Sequence, residues 1–223
     1  KAVILSQFGF GATIDFDDVS HKGITNISTD DVAVAQELGY VIKLVGDVRE
    51  VESGISAEVS PTFLPKNHPL ASVNDVMNAV FVESIGIGES MYYGPGAGQK
   101  PTATSVLADI IRIARRLSDG NVGKPFNEFH RDLPLANPAD VKSNYYFALD
   151  TPDEKGKILH LSEIFNSEDI SFEQVLQQKA NGTTARIVVI THAMSKTQLK
   201  AVTEKLEAAE DFTVVNTLKV LSN

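Results

Sequence analysis

The sequence has no cysteine. That excludes disulfides and thiolate metal sites, and it fits a reducing compartment such as the cytoplasm. No apolar run approaches the roughly 20 residues of a membrane span, so no membrane is expected among the partners. Positive charge is scarce: 20 Lys and Arg stand against 29 Asp and Glu, a net charge of −9. Without a basic face, nucleic acid is not an expected partner either. His21, His68, His130, His160 and His192 are scattered, with no i, i+4 pair and no H-E-x-x-H, and no metal site is expected. An initiator methionine is lacking as well. The apolar start KAVILSQFGFGA has no Ser, Thr, Asp or Asn cap and reads as a helix already in progress, the middle of a longer protein. Ser6 and Gln7 interrupt it too early for a signal peptide.

What is present is ordinary globular composition. Hydrophobic residues make up 43% and charged residues 22% of 223, which excludes disorder and allows one large or two modest domains. DFDD (Asp15, Asp17, Asp18) has the opening spacing of a calcium loop but lacks the later glycine and glutamate, so it reads as a solvated turn.

The first half mixes helices and strands. Ser28 with Asp31 three residues later starts a helix that Gly39 stops. VIKLVGDV alternates as a strand, and GISAEVSPTFLPKNHPLASV reads as a short strand running into a proline-punctuated extended loop. NAVFVESIGIGESMYYG is a hairpin, with Gly86 and Gly88 near its turn. It enters a loop with Gly94, Gly96, Ala97 and Gly98, and Pro101 heads the next helix. Strand, glycine loop and helix form a phosphate-holding arrangement, although G-P-G-A-G departs from G-x-G-x-x-G and no βαβ unit surrounds it; a plain glycine turn is the alternative. Val106, Ile110, Ile113 and Leu117 share a face of that helix, and Arg115 and Arg116 suit its C-terminal dipole.

Residues 119–143, rich in Gly, Pro, Asn and Asp, read as an inter-domain linker between 1–118 and 144–223. The last part alternates strand, helix, strand, strand, helix, strand. Asn181-Gly182 is a hairpin signal, and Ser195 with Gln198 is a capping box. This is the ferredoxin-like βαββαβ plan, and the fold class is α+β (α/β mixed). DTPDEKGK joins a strand to a helix start, where free N–H groups favour a carboxylate. Gly156 permits close backbone approach and Asp153 suits an amino group, with the strand start at Ile170 and Ser171 expected to face them.

The ordered motifs KAVILSQFGFG, GITNISTDDVAVAQELGYVIKLVG, HPLASV and GPGAGQKPTATSVLADI resemble the homoserine dehydrogenase family. DTPDEKGKILHLSEIF and ARIVVITHAMS are similar to the ACT domain that many bacterial members carry. The resemblance implies a catalytic, substrate and dimerisation region with a mixed sheet over 1–118, and an ACT regulatory domain over 144–223. The dinucleotide-binding domain, which mainly holds the NADP or NAD cofactor, would lie upstream. Of the family's G-x-D-x-x-x-K signature only the lysine, Lys1, would remain, as the catalytic proton donor. Gly94, Gly96, Ala97 and Gly98 would close the cofactor site. Homoserine and aspartate semialdehyde are the implied substrates, threonine the implied effector, and a homodimer the implied assembly. Lys155 stands where ACT domains usually have proline, which loosens that match. Two function classes follow: an oxidoreductase fragment, inactive alone, or a non-enzymatic amino-acid-binding and dimerisation module.

Overall fold

The computed structural model describes residues 1–121, 123, 129–181 and 183–221. In chain order the elements are α1 (Ala2–Phe10), β1 (Ser20–His21), α2 (Thr29–Glu37), β2 (Tyr40–Val51), β3 (Gly54–Pro65), β4 (Met77–Ser84), β5 (Gly88–Pro95), α3 (Gln99–Ser118), β6 (Lys142–Pro152), α4 (Lys157–Asn166), β7 (Phe172–Asn181), β8 (Thr184–Thr191), β9 (Met194–Ser195), α5 (Lys196–Ala208) and β10 (Thr213–Val220). Among these residues no helix is long and apolar enough to cross a membrane. The fold is mixed α+β, as the sequence pattern implies.

Two compact units result, Lys1–Pro65 with Phe129–Asn223, and Lys66–Glu128. This division differs from the boundary expected near residue 118. The reason is a strand pairing: β10, from the end of the chain, lies parallel to β3, with Lys219 opposite Thr62 and Val220 opposite Phe63. One sheet therefore runs in the order β1-β3-β10-β6-β8-β7, with β2 on the other edge of β3. Its β10-β6-β8-β7 portion is antiparallel throughout and reads 4-1-3-2 in strand numbers of the βαββαβ unit. The ferredoxin-like plan is present, but its sheet continues into the first part of the chain.

Alternation along β6 explains the two cores. Tyr145, Phe147 and Leu149 point toward α4 and α5, joining Leu161, Phe165, Val202 and Leu206. Tyr146 and Ala148 point the other way and meet Val34 and Ala35 of α2, together with Phe63, Val188 and Ile190. Period-2 strands buried on both faces need cover on both sides, and here the second cover is α2, drawn from the distant first part of the chain. A third cluster packs α1 on Ile55 and Ala57 of β3.

The proline-rich stretch after Gly54 is a full twelve-residue strand rather than a short strand and loop. The carbonyls of Val59 and Phe63 face one edge, accepting from Lys22 and Leu221 at 2.8 and 2.9 Å. Pro61 faces that same edge in the gap between β1 and β10, where no partner needs its missing N–H.

The expected linker is not a free tether over its described part. Arg131 N–H donates to the Gly11 carbonyl (2.9 Å), and its guanidinium makes a two-pronged bond to Glu50. Leu135 bridges Ile55, and Ser53 Oγ accepts the Asn137 N–H at 2.9 Å. Gly54 permits this strap: a Cβ there would stand 2.1 Å from the Pro134 carbonyl oxygen. Residues 122 and 124–128 of the expected linker, and Gly182 of the expected hairpin turn, lie outside the described residues. The hairpin ladder itself closes at Asn181 opposite Thr184.

In the unit Lys66–Glu128, β4 and β5 form the expected hairpin, closing at Ser84 opposite Gly88. His68 accepts the Leu70 N–H on Nδ1 and packs its ring on Phe81, 4.9 Å between centroids. Helix α3 has no buried residue, and Val106, Ile110, Ile113 and Leu117 are all more than half exposed.

Candidate functional site

The glycine loop is built by the hairpin beneath it. Gly94 sits in β5 opposite Asn78. The Gly96 N–H donates to the Val76 carbonyl at 3.1 Å, and a Cβ on Gly96 would come within 2.2 Å of Asn78 Nδ2. Ala97 then leads to Gly98, which caps α3 at φ 125°. No acidic residue stands in the first turn, whose N–H groups have no intrahelical acceptor. Gln99 and Lys100 supply such donors; Pro101 has none to give. The loop thus gathers all four expected residues into an uncharged rim with a lysine beside it, which fits an anionic phosphate.

Lys1 lies in the other unit, directly before α1, exposed and without a side-chain cap bond; its carbonyl accepts the Leu5 N–H at 2.9 Å. The helix begins at Ala2 and closes at Gly11 in a left-handed turn.

At the end of the sheet lie two open clefts sharing the walls Thr151, Pro152, Asp153 and Glu154. The smaller, about 330 Å³, includes Gly156 and the first turn of α4. Gly156 caps α4 at φ 90°, and Asp153, Gly156 and the first turn of α4 line the same cleft. Ile170 and Ser171 do not. They precede β7, whose Phe172 pairs with Thr191, whereas the cleft sits at the opposite end, where Thr184 pairs with Asn181 and Pro152. Ten strand residues at about 3.3 Å each place them roughly 30 Å apart. Ile170 is buried in the core, and the Ser171 carbonyl accepts the His192 N–H at 3.0 Å. The four-residue set expected from sequence therefore cannot form within one chain.

The larger cleft, about 600 Å³, adds Asp150, Glu210 and Asp211 to the shared walls. Burial works to raise the Asp211 carboxyl, but hydrogen bonds from His160 and Lys157 outweigh it and hold it below the ordinary range.

Two charged networks were not legible from motif spacing. Lys219 is 6% exposed and bonds Asp47 and Glu58, while Lys196 reaches Glu58 at 2.7 Å and Arg49 reaches Asp47 at 3.0 Å. Burial alone would raise the Glu58 carboxyl, yet the Lys219 charge and the Lys196 hydrogen bond bring it to about 2. Burial, with Glu58 nearby, pushes the Tyr145 hydroxyl up to about 12. The second network centres on Asp31, 1% exposed. Besides capping α2 with Ser28, it accepts from Tyr146 Oη and Asn216 Nδ2, each at 3.0 Å. The sequence signals they leave are local, a lysine inside the apolar TLKVL and the Ser28–Asp31 spacing, and neither announces the distant partners. Among the described residues no cluster could hold a metal ion.

Comparison with known proteins accounts for this architecture. Residues 1–111 match the homoserine dehydrogenase family model. The chain is 58% identical over all of its length to a homoserine dehydrogenase of Lactococcus lactis, covering 52% of that protein. It is 34% identical over 94% of its length to the Bacillus subtilis enzyme, covering 49%. The crystal structure of a homoserine dehydrogenase from Thiobacillus denitrificans superposes on the whole chain with a TM-score of 0.90 at 31% identity, over 52% of that structure. The chain thus spans about half the length of the curated relatives it matches. It belongs to the homoserine dehydrogenase family.

Proposed function

We propose that this chain is the substrate-handling and regulatory half of an NAD(P)-dependent oxidoreductase that interconverts L-homoserine and L-aspartate 4-semialdehyde. The observation that carries the reading is the unbroken likeness to homoserine dehydrogenases along all 223 residues. Lys1 acts as the proton donor: its ammonium delivers a proton to the developing alkoxide oxygen and stabilises the charge there. The cofactor, NADP or NAD, supplies or accepts the hydride when bound. Gly94 to Gly98 and the start of α3 hold its phosphate edge through backbone N–H groups, while a dinucleotide-binding region outside residues 1–223 holds the rest. The bare apolar face of α3 supports this division of labour, because an amphipathic helix needs a cover.

The region 144–223 acts as an ACT domain that binds threonine in the smaller cleft. The carboxylate meets the first-turn N–H groups of α4, and Asp153 takes the amino group. Since Ile170 and Ser171 lie at the far end of the sheet, they reach such a ligand only from a second copy, which favours a homodimer working in the cytoplasm. By itself the chain is then an amino-acid-binding and dimerising module without turnover, since its sequence has no G-x-G-x-x-G fingerprint.

The test joins residues 1–223 to the dinucleotide-binding half of a relative and measures homoserine oxidation with each cofactor. Turnover should fall at least a hundredfold in Lys1→Ala with cofactor affinity unchanged, within the usual ~10²–10⁴-fold range for a general acid. Undiminished kcat in that variant removes Lys1 from the chemistry. Turnover by residues 1–223 alone overturns the division into halves.

A further inference from the structure

The segment 129–137 holds the helix that follows Lys1, a contact the proposed chemistry leaves without a role. Helix α1 is nine residues long, and its buried residues are Ala2 and Ser6. A helix so short owes its place to what packs on it rather than to its own propensity. Part of that packing is β3, through Ile55 and Ala57, and part is the returning chain, whose Leu133 joins the same apolar cluster.

The returning chain is also bonded to the C-terminal end of α1. Gly11 ends the helix at φ 67°, and its carbonyl accepts the Arg131 N–H at 2.9 Å. A Cβ on Gly11 would stand 2.9 Å from the Phe129 ring, so glycine alone lets the two segments meet. Arg131 is in turn fixed on β2, where two guanidinium nitrogens donate to the two Glu50 oxygens at 2.6 Å each. Such a fork sets orientation as well as distance. Beyond it, the Ile55 N–H donates to the Pro134 carbonyl at 2.8 Å and the Ala136 N–H to the Ile55 carbonyl at 2.9 Å. Glu50 and Ile55 face each other across the β2–β3 ladder, so the segment is anchored twice at one place.

We propose that Arg131 and Glu50 are positioning residues for Lys1: their clasp holds the returning chain against the end of α1 and so fixes where the Lys1 ammonium stands. This role rests on Lys1 being the proton donor of the proposed reaction. Nine residues rising about 1.5 Å each make α1 roughly 14 Å long, so a pivot of about 4° at Gly11 moves its first turn by about 1 Å. A misplacement of about 1 Å costs on the order of a hundredfold where a proton must pass at hydrogen-bond distance. Both side chains of the clasp are 37% exposed, so it narrows the pivot rather than forbidding it.

Residues 1–223 joined to a relative's dinucleotide-binding half provide the test, with Lys1→Ala run alongside. Arg131→Met keeps the aliphatic stem and removes the fork. It should lower kcat roughly fivefold, the scale of an exposed ion pair, and leave KM for homoserine and for cofactor unchanged. The solvent deuterium isotope effect on kcat should grow, because proton delivery becomes slower. Arg131→Lys, with the charge but not the fork, should recover little. Exchanging the partners, Glu50→Arg with Arg131→Glu, should restore most of the lost turnover. In the 223-residue chain, Arg131→Met should quicken hydrogen exchange along α1. An earlier melt with kcat and isotope effect unchanged in the folded variant marks a structural clasp only and overturns the proposal. Unaltered exchange in α1 does the same. If Lys1→Ala is slowed while Arg131→Met is not, the positioning role falls and the proton donor stands. If Lys1→Ala keeps its kcat, both fall together.

Discussion

The ferredoxin-like sheet and the unit Lys66–Glu128 are written in similar patterns and end in opposite states. Along β6, Tyr145 to Leu149 are each 6% exposed or less, because α4 and α5 cover one face and α2 the other. In α3 the periodicity is just as clear, yet its apolar residues lie 44–58% exposed. An amphipathic pattern states that a face will be covered; it does not say by what. In the first case the cover comes from within the chain, and in the second it is left to something else.

Substitutions should separate the two regions sharply. Phe165, fully buried and edge-on to Phe147 and Phe172, anchors the α4 side. Phe165→Ala should cost about 3–5 kcal/mol, read by denaturant unfolding; a loss under about 1 kcal/mol breaks the picture of a closed core.

Acid should come next. Glu58 is brought from its ordinary 4.5 to about 2 in the fold. A depressed carboxylate contributes its full stabilisation above the unfolded value, so the contribution is complete above pH 4.5 and drains as pH falls toward 2. Its size is on the order of 3 kcal/mol. Glu58→Gln should flatten the stability–pH curve in that window, and an unchanged slope would assign the acid response to other groups.

Tyr146→Phe should cost about 1–2 kcal/mol, since it strips one donor from the buried Asp31 carboxylate. Hydrogen exchange should show the loss in α2 as well as in β6; loss confined to β6 would mean that Asp31 does not tie them. The smallest effect belongs to α3. Ile113→Ser, at an exposed position, should change the stability of the 223-residue chain by under about 0.5 kcal/mol. In a longer protein that covers this face the same change should cost several times more. A large loss in the chain alone would erase the contrast between the regions.

Local chemistry made much of this legible. Ser28 with Asp31 and Ser195 with Gln198 form the capping boxes their spacing implies, and Gly88 closes the hairpin. Long-range pairing was not legible. Nothing in GISAEVSPTFLP announces that β10 will lie beside it, and the prolines argued for a loop because their tolerance depends on where neighbouring strands stop. The effector set failed for the same reason. Asp153 and Gly156 are local to one turn, whereas the place of Ile170 and Ser171 depended on the direction of a ten-residue strand. The Lys219–Glu58 pair spans 161 positions and leaves no spacing to read.

That separation has a consequence for how the chain acquires its fold. The edge of β3 at Thr62 and Phe63 is completed by β10, so it waits through the synthesis of more than a hundred intervening residues. At about 5–20 residues per second on the ribosome, β3 spends roughly 8–30 seconds with open ladder groups, and loop closure over so long a segment is entropically slow. During that interval β2 guards one side of β3, while on the other side β1 covers only the stretch at Glu58 and Val59 and leaves Thr62 and Phe63 bare. Nascent chains stalled before Thr213 would then be the species most prone to wrong strand pairing, and β10 works as the latch that ends the exposure.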